Sequence, residues 1–234
     1  MAELPFANRQ RPILLGHRGV PVLADGNTRA SFLAAIDAGL DGVETDIQRT
    51  KDGVLVIYHD FIVGFRLLAE MTIAELREQR PEILTLEELL ELMEPYEHFL
   101  LNLELKSVPG LEDGRAHETA DLVASWRGNG RIWLSSYDPV ALLKIRERQP
   151  SIPLGYIFRV YDTSKMAELL GIEAVHPEQT LVKPELVGRW RQKNLRIATW
   201  TVNDAKRARE LAAMGVDVIM GDDASALLAI KNIV

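Results

Sequence analysis

Short apolar runs alternate with amphipathic stretches along the whole chain. The runs at 11–19 (RPILLGHRG), 41–48 (DGVETDIQ), 98–106 (HFLLNLELK), 131–138 (RIWLSSYD), 152–158 (IPLGYIF), 173–177 (EAVHP), 195–203 (LRIATWTVN) and 216–222 (VDVIMGD) are rich in Val, Ile and Leu and predict strands. Helical patterns fill the intervals, among them 28–39, 138–149, 183–194 and 204–215, with a last one at 224–233. The first ends on Gly39, and Thr72 and Thr85 stand where N-caps belong, each with acidic residues in the following turn. A further run, 53–60 (GVLVIYHD), follows the second strand through TKDG, whose Asp-Gly is a hairpin signal. Counted as an extension of that strand, it leaves eight strand–helix units. This predicts a compact α/β fold, a (β/α)8 barrel of the TIM type, as one domain over residues 1–234. Periodicity alone leaves an open doubly wound sheet as the alternative.

Composition narrows the function classes. With 47% hydrophobic residues, the 234-residue chain can bury a sizeable core. A net charge of −7 without any Lys/Arg-rich run argues against nucleic-acid binding. No cysteine is present, so disulfides, zinc-thiolate sites and thiol nucleophiles are excluded. The first residues lack a signal-peptide pattern, and no window approaches the roughly 18 apolar residues of a membrane span. The expectation is a cytoplasmic protein without an integral membrane segment, of open oligomeric state. GHRGV is neither a dinucleotide fingerprint nor a P-loop, which weakens nucleotide binding.

In such a barrel the chemistry sits at the C-terminal ends of the strands. Those ends carry His17-Arg18, Glu44-x-Asp46, Glu104-x-Lys106, Ser135-Ser136, His176, Trp200 and Asp222. Glu44 and Asp46, two residues apart, project from one face of their strand. Together with Glu104 they form a carboxylate set whose mutual repulsion calls for a hard divalent cation, Mg²⁺ or Ca²⁺, with Mn²⁺ also suitable. The plainer reading is that Arg18 or Lys106 simply pairs with these carboxylates. His17 and His59 are the candidate general acid and base. Arg18 offers a planar fork for phosphate and Lys106 a second positive charge, which points to phosphoryl chemistry. SSYD lacks the glycines of a nucleophile elbow, and His98 and His117 lie away from the strand ends.

The HRG, NT-x-x-SF, DGVETDIQ-x-TKDGVLVIYHD, LNLELK, SSYDP and TWTVND motifs, over about residues 12–222, resemble the glycerophosphodiester phosphodiesterases. The resemblance implies a metal-dependent barrel that hydrolyses glycerophosphodiesters to glycerol 3-phosphate and an alcohol. It implies His17 and His59 as the acid/base pair, Glu44, Asp46 and Glu104 as metal ligands, and Arg18 and Lys106 as phosphate contacts. Trp200 would line the substrate pocket, and His176, at a neighbouring strand end, is placed there with it. The implied mechanism is attack on phosphorus by the substrate's own glycerol hydroxyl, followed by hydrolysis of a cyclic ester. Two departures stand out. The family's glutamate before Asn-Thr is replaced by Gly26, beside Asp25, and the usual insertion after His-Asp is shortened, which implies a more open pocket. Two other readings remain at this point. One is a phospholipase D-like enzyme for lysophospholipids, were 61–68 (FIVGFRLL) an apolar cover rather than the favoured core-facing connection. The other is a barrel that binds phosphodiesters without cleaving them.

Overall fold

A computed structural model describes residues 2–7, 9, 11–107 and 113–231. The elements run β1 (Ile13–His17), α1 (Arg29–Asp37), β2 (Gly42–Arg49), β3 (Leu55–Ile57), β4 (Ile62–Val63), β5 (Arg66–Leu67), α2 (Ile73–Gln79), α3 (Leu86–Met93), β6 (Leu100–Leu105) and α4 (Arg115–Ser125). They continue with β7 (Ile132–Ser136), α5 (Pro139–Arg148), β8 (Leu154–Phe158), α6 (Lys165–Leu170), β9 (Ala174–Pro177), α7 (Pro184–Gln192), β10 (Arg196–Thr199), α8 (Ala205–Ala213), β11 (Val218–Gly221) and α9 (Ala224–Leu228). Positions 232–233 of the last expected helix lie outside the described residues.

Strands β1, β2, β6, β7, β8, β9, β10 and β11 pair in parallel, and β1 pairs with both β2 and β11. The sheet therefore closes on itself as the (β/α)8 barrel, and the open doubly wound alternative is excluded. The TKDG turn forms as expected. It returns β3 antiparallel along the upper half of β2, with Ile47 opposite Ile57.

Each strand sends alternate residues inward. The lower lumen is filled by Ile13 and Leu15 of β1, Leu100, Trp133, Ala174, Ala198, Val218 and Met220, all buried. From the N-terminal segment, Phe6 packs edge-on to Trp133, ring centroids 5.0 Å apart. The opposite faces of the strands meet the helices in a larger apolar layer that includes Phe32, Val43, Leu103, Leu134 and Trp190. Higher in the lumen His176 is 1% exposed, and an added Cβ on Gly155 of the neighbouring strand would stand 2.3 Å from its Nε2. Glycine is required there by the close approach of the imidazole. The Trp133 indole N–H is shared between His176 Nε2, at 3.3 Å, and the Asn102 amide oxygen, at 3.0 Å. Burial lowers the His176 pKa to about 3.

The segment 61–68 only partly follows the favoured expectation of a core-facing connection. Val63 and Leu68 do join a satellite core with Val56, Met71, Leu76 and Ile83. Ile62, Phe65 and Leu67, however, stand exposed on the β4–β5 hairpin, because a two-residue strand pair has only one face to bury. Below it, Thr72 and Thr85 are N-caps of α2 and α3 in complete capping boxes with Glu75 and Glu88. Helix α1 ends through Gly39, whose φ of +79° is the left-handed geometry of a C-terminal cap. Among the described residues no helix is long and apolar enough to cross a membrane.

Two stability predictions follow from these contacts. Thr85→Ala removes the acceptor for the Glu88 amide and should cost about 1 kcal/mol in urea unfolding, with Thr85→Ser losing less. Equal losses for Ala and Ser would refute the cap. For His176 the unfolded imidazole binds a proton below about 6.5 while the folded one stays neutral down to about 3. Stability from this group is thus lost as pH falls through that window, by about 1.4 kcal/mol per pH unit. The destabilisation caused by His176→Gln should accordingly shrink from pH 7 to pH 5, and a pH-independent difference between the two proteins would contradict the assignment.

Candidate active site at the mouth of the barrel

The site is the upward continuation of the lumen-facing positions. On β1 the inward series Ile13, Leu15 ends on His17, on β2 it runs through Glu44 and Asp46, and on β6 Leu100 and Asn102 lead to Glu104. Strand register then brings these residues side by side. His17 is level with Glu44 across β1–β2, and Asp46 with Glu104 across β2–β6. Neighbouring strands lie only about 4.8 Å apart. Glu44, Asp46 and Glu104, all buried, each offer one oxygen so that the three lie within 4.8 Å of one another.

The loop after β1 is held over this cluster by backbone in unusual conformations. Arg18 and Asn27 have φ of +63° and +62°, in the left-handed region that asparagine tolerates better than arginine does. The Arg18 amide donates to the Glu44 carbonyl at 2.8 Å, and the Asn27 amide to the Arg18 carbonyl at 3.0 Å. The Asn27 side chain then donates to Asp46 Oδ2 at 2.8 Å and accepts from Thr45 at 2.7 Å. A single asparagine thereby joins the loop to both faces of β2.

Positive charge is already threaded through the cluster, as the plainer reading of the sequence anticipated. Lys106 Nζ lies 3.0 Å from Asp46 Oδ1 and 2.9 Å from Glu104 Oε1. Arg18 Nε lies 3.4 Å from Asp46 Oδ2 but out of hydrogen-bond alignment, and is a buried donor without an acceptor among the described residues. Burial would raise the Asp46 pKa, yet Lys106 and Arg18 hold it below the ordinary value. Glu104 is pushed up to about 7 by burial and by Asp46, against the pull of Lys106. Glu44 is driven well above the carboxylate range by burial and by Asp46 and Glu104. Among the described residues its carboxylate accepts only a 3.3 Å bond from the Arg18 amide, with His17 Nε2 at 3.9 Å.

Both histidines are held through Nδ1 by a carboxylate. His17 Nδ1 is 2.7 Å from Asp222 Oδ1, and Asn203 fixes the other oxygen of Asp222 at 2.7 Å. His59 Nδ1 is 2.6 Å from Asp60 Oδ1. The carboxylates can only accept, so each imidazole carries an N–H on Nδ1. Burial holds the His59 pKa below the ordinary histidine value, against the field of Asp46.

These groups open into a cavity of ≈640 Å³ lined by His17, Arg18, Glu44, His59, Glu104 and Lys106, with His176 at its floor and Trp200 on its far wall. Asp46 lies beneath this lining, 1% exposed. The Trp200 indole donates to the His176 carbonyl at 3.0 Å, and its ring meets Tyr137 edge-on at 6.1 Å. Tyr137 and Arg159 line the same cavity and were not singled out from the sequence. The inward parity could have found them, since Trp133-x-Ser135-x-Tyr137 and Gly155-x-Ile157-x-Arg159 continue the lumen faces of β7 and β8. Asp222 stood among the strand ends without a role, because its pairing with His17 joins the last strand to the first.

The model of the glycerophosphoryl diester phosphodiesterase family matches residues 17–226. A glycerophosphodiester phosphodiesterase of Caldanaerobacter subterraneus is 27% identical over 93% of this chain and 97% of its own length. One from Bacillus altitudinis is 26% identical over 89% and 94%. Among solved structures, an Oleispira antarctica phosphodiesterase in complex with the product sn-glycerol-3-phosphate superposes with a TM-score of 0.86 at 27% identity, covering 95% of this chain and 98% of that one. A Thermotoga maritima glycerophosphodiester phosphodiesterase gives 0.75 at 26% identity, over 96% and 99%. With its barrel, its strand-end carboxylates and a family match over most of its length, this chain belongs to the glycerophosphoryl diester phosphodiesterase family, whose members are phosphoric diester hydrolases.

Proposed function

We propose that the chain hydrolyses glycerophosphodiesters to glycerol 3-phosphate and an alcohol, with a divalent cation held by Glu44, Asp46 and Glu104 and with His17 and His59 as the acid/base pair. One observation carries the reading: three converging buried carboxylates share a cavity with two histidines that are each oriented through Nδ1 by an aspartate. The donor set suits a hard cation such as Mg²⁺, Ca²⁺ or Mn²⁺, since all three donors are carboxylates. Glu44 supports the fit most directly, because it is a buried carboxyl that neither Lys106 nor Arg18 pairs with through its side chain. When bound, the cation supplies Lewis-acid stabilisation of charge on the phosphoryl oxygens.

The remaining tasks fall to this chain's own side chains. Arg18 lines the cavity, where its guanidinium fork can meet a phosphate oxygen. Lys106 uses two of its three N–H donors on Asp46 and Glu104 and keeps one for the phosphate. One histidine takes the proton from the attacking glycerol hydroxyl while the other gives one to the departing alcohol oxygen, leaving a cyclic phosphate. Water then attacks phosphorus and one ring P–O bond breaks, with the two histidines in exchanged roles, to give glycerol 3-phosphate. Asp222 and Asp60 hold the N–H on Nδ1, so the working nitrogen is Nε2 in both. Trp200 and Tyr137 border the organic part of the substrate, with His176 supporting Trp200 from below.

The exposed Ile62, Phe65 and Leu67, with Phe61 on the cavity wall, favour lysophospholipids as a second substrate class. Turnover that rises sharply at the critical micelle concentration would support this class, and a flat profile would remove it.

Glycerol 3-phosphate release from a panel of glycerophosphodiesters, with each cation or with chelator, tests the main reading. Full activity after exhaustive chelation would overturn the metal. Either His17→Ala or His59→Ala should lower turnover by ~10²–10⁴-fold, and near-normal turnover in either would overturn the pair. Arg18→Lys keeps the charge but loses the fork, and should lower kcat/KM by about 10–100-fold. Cation binding should release protons, because Glu104, at about 7, is partly protonated at neutral pH and must ionise to ligate. Affinity should therefore fall as pH drops below about 7. Calorimetry in buffers of different ionisation enthalpy checks this without turnover, and zero proton release at pH 7 would contradict it.

A further inference from the structure

A second cavity, of ≈440 Å³, lies against the first and shares His17, Arg18 and His59 with it. The two chambers meet at the residues that would flank the phosphorus, and their other walls differ in charge. Glu44, Glu104, Lys106 and Arg159 line only the larger. Asp60, Asp222, Tyr58 and Gly26 line only the smaller. We infer that the smaller chamber receives the leaving alcohol, that Gly26 is the residue whose missing side chain keeps it open, and that its carboxylates select alcohols bearing an ammonium group. This rests on the phosphodiesterase reading above.

The argument starts from Gly26. The backbone does not demand glycine there, since its φ is not among the positive values. Space is limited: an added Cβ would stand 3.2 Å from Arg18 Cβ and 3.5 Å from Pro21 Cβ. Any larger side chain must then extend into the room beside Arg18. Only the Arg18 contact is tight, and it asks that neighbour to give by a few tenths of an ångström; unchanged thermal unfolding of each variant shows that the loop stays seated.

Charge decides which half of the substrate goes where. After cleavage the phosphate stays with glycerol, and that anion belongs with Arg18, Lys106 and Arg159. Among the described residues Arg159 makes no hydrogen bond or ion pair. The smaller chamber has Arg18 as its only lysine or arginine and contains two carboxylates. Each aspartate spends one oxygen on a histidine, and Asn203 takes the second oxygen of Asp222. The second oxygen of Asp60 has no hydrogen-bond partner among the described residues, and the Asp60 side chain is 68% exposed. An ammonium group is attracted to this wall and a carboxylate repelled.

The test uses four glycerol phosphate diesters, of methanol, n-propanol, ethanolamine and 3-hydroxypropanoate. Comparing each variant with wild type on the same diester cancels intrinsic leaving-group reactivity. Gly26→Leu should lower kcat/KM on the propyl diester on the order of tenfold more than on the methyl diester, and Gly26→Ala should do so less. Gly26→Lys should lower the ethanolamine-to-propyl ratio, and raise the hydroxypropanoate-to-propyl ratio, on the order of tenfold relative to Gly26→Gln. Equal effects of Gly26→Leu and Gly26→Ala on the methyl and propyl diesters would overturn the chamber. Ratios unmoved between Lys and Gln would overturn its charge selection. Failure of wild type to cleave any of the four overturns the phosphodiesterase reading and this one with it, whereas cleavage with unaltered ratios overturns this one alone.

Discussion

Three carboxylates stand side by side in the buried upper lumen, and the top of the barrel is organised around keeping them there. Burial alone would protonate them. Lys106 and Arg18 supply two positive charges among three negative ones, and Asn27 and the Arg18 amide supply neutral hydrogen bonds. The compensation is uneven. Asp46 takes both cations and the Asn27 amide and remains acidic, while Glu44 takes neither cation and is driven upward. That imbalance makes the cluster a liability to the fold, and it is what a further cation would relieve on the proposed reading. Between the unfolded carboxyl value and the raised folded one, Glu44 and Glu104 oppose folding more as pH rises.

The barrel below makes that arrangement affordable. Its lumen is closed by Trp133, Phe6 and aliphatic residues, so the polar groups above rest on an apolar floor. His176 marks the boundary: a neutral imidazole held by an indole N–H and wedged over Gly155, carrying its strand's backbone carbonyl to Trp200. Core packing and wall of the cavity are therefore one structure. A change at Gly155 would reach Trp200 through His176.

The two histidines illustrate a different constraint. Both need their Nδ1 proton fixed, yet the aspartates come from unlike places. Asp60 is the next residue to His59 and arrives with it. Asp222 lies at the end of the last strand and reaches His17 only because β11 pairs with β1. Closure of the barrel is thus part of the orientation of His17. The two chambers meeting at these histidines differ in charge, with Lys106 and Arg159 on one side and the aspartates on the other.

Much of this was legible in the chain itself. The alternation of apolar runs and helical stretches carried the eight strand–helix units, and Thr72, Thr85 and Gly39 marked helix ends, because caps and periodicity are local. Glu44, Asp46, Glu104, His17 and Lys106 could be read as strand-end groups, since a charged residue closing an apolar run has few other uses. Other features were beyond local reading. The choice of a closed barrel over an open sheet depends on β1 meeting β11, some two hundred residues apart. Asp222 on His17, Tyr137 against Trp200, Arg159 on the cavity wall and the chamber beside Gly26 all arise between strands or loops distant in sequence. The exposed half of 61–68 was likewise invisible, because the same apolar residues would serve a core or a surface. Sequence determined which side chains each strand carries inward; only strand register and closure decided which of them stand within reach of one another, because those distances are set across the sheet rather than along the chain.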